Sequence, residues 1–332
     1  MLKVLYLIER MIKLDYANML RISKSVSRKA KKSQCYILYD MIKCGIKYQA
    51  GYYDYQEFEF YKISEDKRNT FLTRGKNNEI IKKYNDRKYF DVFNDKIKFN
   101  NLFSEYLGRD WINLKTSSLD DFIGFLQKNP IIIAKPIDGE GGNGIEKYAL
   151  SESSSAEEIY KSVISKKQLL VEAFVRQHKD MDILYAGSVN TIRMFTFCKE
   201  GRGHFLQAIL KIGNGGVIDN FSSGGMYTFV EDDGTVEVPA IDKNDVIYER
   251  HPITNTGIVG FSVPMFAQAV RLVEKAAQTV PEIGYVGWDV AISENGPVII
   301  EGNCFPGVFQ KKASFTKNGT GILPKYSQYM DI

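Results

Sequence analysis

Two acids and an amide near the C-terminal end, Asp289, Glu301 and Asn303, have the types and spacing to do chemistry. Side chains at i and i+2 of a strand share a face, so Glu301 and Asn303 point the same way. The stretches GYVGWDVAIS (284–293) and VIIEGN (298–303) read as two strands joined through Glu294-Asn295-Gly296-Pro297. A two-residue loop at Asn295-Gly296 would set Glu301 opposite Val290. A three-residue loop, Glu294-Asn295-Gly296, sets Asp289 opposite Glu301 and puts Gly296 where a left-handed residue is needed, and this register is predicted. Two carboxylates and an amide oxygen then meet on one face, an all-oxygen set suited to Mg²⁺ that also touches phosphates. The alternative is a pair of solvated acids on an edge hairpin. Val290, Ala291, Val298, Ile299 and Ile300 argue against it, because they predict burial and buried unpaired acids are costly.

A second group lies at 135–144. Gly139-Glu-Gly141-Gly142-Asn-Gly144 contains G-x-G-x-x-G, but Ile145-Glu146-Lys147-Tyr148 after it is strand-like. Walker loops and dinucleotide fingerprints both need a helix there. A protein kinase would carry H-R-D and D-F-G, which the chain lacks. What remains is a hairpin whose backbone N–H groups fold over a triphosphate. Lys135, ending the apolar run Ile131–Ala134, extends a point charge toward α- and β-phosphates.

The elements that must position these groups form three regions: 1–92, lysine- and tyrosine-rich and mostly helical; 93–176, with the glycine hairpin; and 177–332, a second α/β lobe. The fold class expected is α+β. In the first region, Leu5, Ile8, Ile12 and Tyr16 recur at helical spacing, and the segment 15–45 predicts two helices ending at Gly45. The aromatics of GYYDYQEFEF anchor this region. Further on, NDKIKFNNLFSEYLG predicts a helix from Asn94 or Asp95 to Gly108. Ser155 with Glu158 is a capping box for a helix over 156–165. Strands are expected at 168–175, 188–199 and 204–213, and a helix over Pro264–Gln278.

With 332 residues, 44% apolar and 25% charged, the chain can build its cores without covalent staples. Four scattered cysteines exclude a disulfide framework or a zinc ribbon, and three distant histidines exclude a histidine metal centre. The apolar run at the start is too short for a secretory segment, so the cytoplasm is the expected compartment. Residues 1–50 hold eleven basic against three acidic residues, although the whole chain carries only +4. A solvated helical face explains this. An anionic partner, such as a membrane surface, a nucleotide-sugar or a polymer, is the alternative. No basic repeat interleaved with aromatics supports nucleic-acid binding.

A strand lysine, a glycine hairpin, a strand with Glu172 and a D…E-x-N hairpin together resemble the ATP-grasp superfamily. Ser188-Val-Asn-Thr-Ile-Arg193, Val217–Gly225, His251-Pro252 and Gly287-Trp-Asp-Val-Ala291 resemble its sugar-transfer-associated subgroup, found with bacterial surface-polysaccharide genes. The likeness spans roughly 50–310 and implies two α/β lobes clasping ATP, preceded by the helical region. It implies an ADP-forming carboxylate–amine ligase working through an acyl phosphate, with a carboxylated sugar and an amino acid or amine as substrates. ATP phosphotransfer, or a nucleotide-binding scaffold docked through the basic end at the inner membrane face, are the other readings. By the same resemblance Lys96 joins Lys135 on phosphates, Glu172, Phe174 and Val175 meet adenine, and His178 or Asp180 reaches the ribose. Asp289, Glu301 and Asn303 would hold two Mg²⁺. Many of these ligases have an arginine two residues before the first acidic ligand; here Gly287 stands there, and its role passes to Arg193 with Lys211. Asp219, Asn220, Ser223, Gly224 and Gly225 would form the acceptor-side loop.

Overall fold

The structure, a computed structural model, describes residues 15–138, 143–151, 155–216 and 218–332. The helical spacing expected through Leu5, Ile8 and Ile12 falls outside them. Two compact units result: Met1–Lys83 with Gly307–Ile332, and Tyr84–Pro306. The third expected region, 177–332, is therefore shared, its last residues packing in the helical unit.

In the first unit, α1 (Tyr16–Ala30) opens where the Asp15 carboxylate accepts from Asn18 N–H, and α2 (Gln34–Tyr48) opens at Ser33. Helix α2 does not stop at Gly45. It runs one turn further, because Gln49 takes the left-handed conformation and lets Ala50 N–H reach Cys44 O. The core joins Ile22, Val26, Ile37 and Tyr48 to Tyr55, Phe58, Phe60 and Phe71, so the aromatic stretch does anchor this region. Within it, Arg68 grips Asp40 through two bonds of 2.8 Å, and Tyr55 O–H donates to the same carboxylate at 2.6 Å.

The second unit holds two antiparallel sheets. In the smaller, β1 (Trp111–Asn113), β4 (Leu170–Ala173), β2 (Ile131–Lys135) and β3 (Glu146–Ala149) lie side by side in that order. Helices α4 (Leu119–Lys128) and α5 (Ala156–Ser165) cover it, burying Phe122, Leu126, Ile159 and Val163 against Ile132, Ala134 and Val171. The Ser155–Glu158 capping box opens α5 as expected. The larger sheet has the order β11 (Gly296–Asn303), β10 (Tyr285–Ser293), β5 (Thr191–Lys199), β6 (Arg202–Ile212), β7 (Met226–Val230), β8 (Ala240–Asp242), β9 (Ile247–Tyr248). Helix α6 (Phe266–Ala276) packs on it through Phe266, Ala269, Val273 and Ala276. The helix predicted from Asn94 to Gly108 breaks at Phe103: α3 (Lys96–Leu102), capped by Asp95, is followed by a short turn Ser104–Leu107. Phe99 and Phe103 both turn their rings onto Trp288, and that packing sets the break. No described helix is long and apolar enough to cross a membrane.

The β10–β11 hairpin reaches the predicted pairing by another route. Its loop has two residues, Glu294-Asn295, and Ser293 pairs with Gly296. The Ser293 hydroxyl donates to Gly296 O at 2.7 Å and accepts from Asn295 N–H, which tightens the turn. Val290 then faces Ile299, a bulge inserts Ile300, and Asp289 faces Glu301. The expected three-residue loop is absent; the extra residue sits in the strand instead.

Candidate active site

One face of the large sheet carries four charges in a row. Asp289 on β10 faces Glu301 on β11 and Arg193 on β5, and Lys211 stands on β6 two residues beyond the partner of Arg193. Paired residues of antiparallel strands share a face, so the row follows from register. Arg193 grips Asp289 in a fork, Nε to Oδ1 at 2.5 Å and Nη2 to Oδ2 at 2.8 Å, and Lys211 Nζ donates to Oδ2 at 2.9 Å. Burial alone would raise Asp289, but Arg193 and Lys211 outweigh it and hold the carboxyl well below its usual range. Glu301 has less relief. Burial and the neighbouring Asp289 push it up and outweigh the pull of Arg193, whose Nη2 lies 3.9 Å from its Oε1, and of Lys211, although its side chain is 46% exposed. Asn303 Nδ2 lies 3.3 Å from its Oε1.

Arg193 also explains Gly287. A Cβ at 287 would lie 3.1 Å from Arg193 Cδ and 3.0 Å from Pro306 Cβ, so the arginine stem fills the space a side chain there would need.

The small sheet holds a buried charge cluster of its own. Lys135 Nζ is 2.7 Å from Glu172 Oε2, which spends one of its three donors. Arg109 donates to both oxygens of Glu172 at 3.0 Å, and Asn100 adds a bond of 2.8 Å. Burial would raise Glu172; Arg109 and Lys135 overcome it and hold it at about 2. Arg109 also donates to Ile299 O at 2.7 Å and Ile300 O at 3.2 Å, the two carbonyls at the bulge. One buried guanidinium thus ties the lysine strand to the strand carrying Glu301. Lys96 Nζ donates to Ile137 O at 3.2 Å, and burial followed by the charge of Lys135 lowers its pKa.

Lys96, Lys135, Arg193, Lys211, Asp289 and Glu301 line one cavity of about 650 Å³, together with Asp219, Asn220 and Asn303. Of the remaining predicted residues, Gly139, Gly141 and Gly142 lie outside the described residues, as does Val217. Gly144 has φ 73°, and its carbonyl accepts from Gln168. Glu172, Phe174, Val175, His178 and Asp180 are not among the lining residues. The Ala173 and Phe174 N–H groups are taken by Asp110 O and Ile131 O, and Lys147 sits 4.1 Å over the Phe174 ring. His178 spends Nδ1 on Asp180 N–H, capping the turn Lys179–Asp182. Asp219 is a buried brace more than a loop residue: it accepts from Thr191 N–H at 2.7 Å and Oγ1 at 2.5 Å, while burial raises its pKa against the pull of Lys211. Ser223 and Gly225 donate their N–H groups to Asn220 O, and Gly224 turns left-handed between them.

The sequence reading missed Arg109, Asn100 and Thr191. A glutamate inside the apolar strand LLVEA demands a buried counter-charge, and that was the available signal for Arg109.

Among the described residues no three of His, Cys, Asp and Glu converge as a metal cage. The donors Asp289, Glu301 and Asn303 nevertheless fit a hard cation. They are oxygen donors on adjoining strands, and Glu301 bears a charge that its surroundings leave poorly balanced.

Two sheet-and-helix lobes, with a lysine strand in one and an acidic hairpin in the other, define an ATP-grasp protein. The chain belongs to the sugar-transfer associated ATP-grasp family, whose model matches residues 75–328. No curated protein matches it in sequence. Among solved structures, it is similar to D-alanyl-alanine synthetase A of Vibrio cholerae, with 14% identity, TM-score 0.40, and 73% of this chain and 61% of that one covered. It is similar to the biotin carboxylase domain of the 2-oxoglutarate carboxylase of Hydrogenobacter thermophilus, with 13% identity, TM-score 0.42 and coverages of 67% and 42%. An L-amino acid ligase from Bacillus licheniformis follows at 14%, 0.37, 64% and 41%. The chain thus spans less than two thirds of the length of each of these three structures.

Proposed function

We propose that the chain is an ATP-dependent carboxylate–amine ligase that releases ADP and phosphate and joins an amino acid or amine to a carboxylated sugar of a capsule or other surface polysaccharide. The observation that supports it is one cavity lined by Lys135 of the small sheet and Lys96 of α3 together with Asp289 and Glu301 of the large sheet. Lys96 and Lys135 repel each other there, and a polyphosphate between them relieves that repulsion. Asp289, Glu301 and Asn303 would hold Mg²⁺, which when bound screens phosphate charge from an incoming carboxylate. A count of two ions rests on the family resemblance alone. Arg193 and Lys211, anchored on Asp289, bring positive charge to the place where the carboxylate must approach. The carboxylate oxygen bonds to the γ-phosphorus as ADP leaves. The amine nitrogen then bonds to the acyl carbon as phosphate leaves, and the nitrogen gives up a proton to form the amide.

The test is ADP release with panels of uronic acids and amines. Release that needs both substrates, with hydroxylamine trapping an acyl hydroxamate, is the expected result. A stable phosphorylated product without amine dependence would instead make the chain a phosphotransferase, and ATP binding without turnover would make it a scaffold.

A further inference from the structure

Helix α2 of the first unit is apolar on two faces. It buries Ile37, Met41, Cys44 and Tyr48, which recur at four- and three-residue steps. A second row at the same steps, Cys35, Tyr39, Ile42 and Ile46, runs about 160° around the helix from the first. Tyr39, Ile42 and Ile46 are 66%, 53% and 65% exposed. A helix packed on one side only would ordinarily turn charged residues outward there.

The α1–α2 hairpin that carries this row is basic. Lys43 and Lys47 flank it, each bonded to Glu65. Helix α1 and the turn into α2 expose Arg21, Lys24, Arg28, Lys29, Lys31 and Lys32. Of the two acids between residues 15 and 50, Asp40 is buried under Arg68 and Asp15 alone is exposed.

We propose that the α1–α2 hairpin docks on an anionic lipid surface. Tyrosine and aliphatic side chains in a row enter the boundary between head groups and acyl chains, while the lysine and arginine heads stay at phosphate level. Each cation near such a surface adds attraction that salt screens. A second copy of the chain fits less well, because pairing two such rows would bring two basic rims together.

Cys35 is exposed while Cys44, Cys198 and Cys304 are buried, so an environment-sensitive fluorophore on the folded full chain reports on this row. Vesicles of equimolar phosphatidylcholine and phosphatidylglycerol should shift its emission to the blue. Pure phosphatidylcholine should not, and added salt should reverse the shift. I42Q/I46Q changes only exposed positions; it should keep the melting temperature and bind about tenfold more weakly. Equal response to both vesicles, no response, or unchanged binding by I42Q/I46Q would overturn the proposal. A dimer in light scattering that I42Q/I46Q dissolves would assign the row to a second copy instead.

Discussion

At Glu301, burial and the adjacent Asp289 both disfavour a negative charge, whereas Asp289 is kept ionised by Arg193 and Lys211. The two acids therefore respond differently to neutralisation. Glu301→Gln removes a repulsion in the metal-free protein, so its melting temperature should equal or exceed that of the native chain. Turnover with MgATP should fall by about 10²–10³, the loss expected when a metal-held phosphate is no longer neutralised. A turnover near the native value would remove Glu301 from the metal set. Glu172 carries the opposite sign. Its pKa in the fold is held at about 2, below the ordinary glutamate value, so its contribution to stability is present above that ordinary value and lost as pH falls toward 2. Arg109→Met leaves Lys135 as the one cation bonded to Glu172, beside the Asn100 amide, to oppose burial. It should cost about 3 kcal/mol at neutral pH, and the loss of stability on acidification should begin at a higher pH. A melt-versus-pH series on both proteins checks this; parallel curves would show that Arg109 does not set the charge of Glu172.

Among the elements, the short turn Ser104–Leu107 and the β11 bulge depend on one another through Arg109. Gly108 ends the turn at φ 55°, and a Cβ there would fall 2.3 Å from Val298 Cγ1. Gly108→Ala combines a left-handed alanine with overpacking against β11 and should cost about 2–4 kcal/mol, measured by urea unfolding. Its effect on the KM for ATP should exceed that of a core substitution of equal cost, because Arg109, the next residue, is displaced with it. The sequence made the end of this helix legible, since Gly108 follows the last periodic position. Two-residue periodicity also made legible that Glu301 and Asn303 share a face, whereas the facing of Asp289 and Glu301 was expected from a three-residue loop that the hairpin does not have. The means of that facing was not legible. The Ile300 bulge is stabilised by an arginine 191 positions away, and no local pattern around Ile300 announces it. The break at Phe103 has a similar origin, in the packing of Phe99 and Phe103 on Trp288. The adenine-side expectation at Phe174 and Val175 came from resemblance alone, with no local pattern in the residues to carry it.

For the whole molecule, composition and motif order indicated a helical region followed by two lobes, but contiguity in sequence suggested that residues 307–332 stay with the second lobe. They belong to the helical unit through side-chain pairing that the sequence does not display. Gln310 bonds Leu72 in both directions, at 2.7 Å to its carbonyl and 3.2 Å from its N–H. Ala313 enters the aromatic core, and Ser314 N–H donates to Glu59 at 2.9 Å. The unit Tyr84–Pro306 is by contrast continuous, and Asn85 closes it by donating to Tyr285 O and Cys304 O while accepting from Tyr285 N–H. A fragment of residues 84–306 should therefore fold cooperatively and keep nucleotide binding, since every lining residue of the cavity falls within it. A fragment of residues 1–83 lacks the tail that satisfies Leu72 and fills the core beside Phe71; it should fold only when a peptide of residues 307–332 is added. Circular dichroism and limited proteolysis of the two fragments, with and without the peptide, decide the matter. Cooperative melting of 1–83 alone would mean that the tail is dispensable, and loss of nucleotide binding by 84–306 would mean that the site draws on residues outside its own unit.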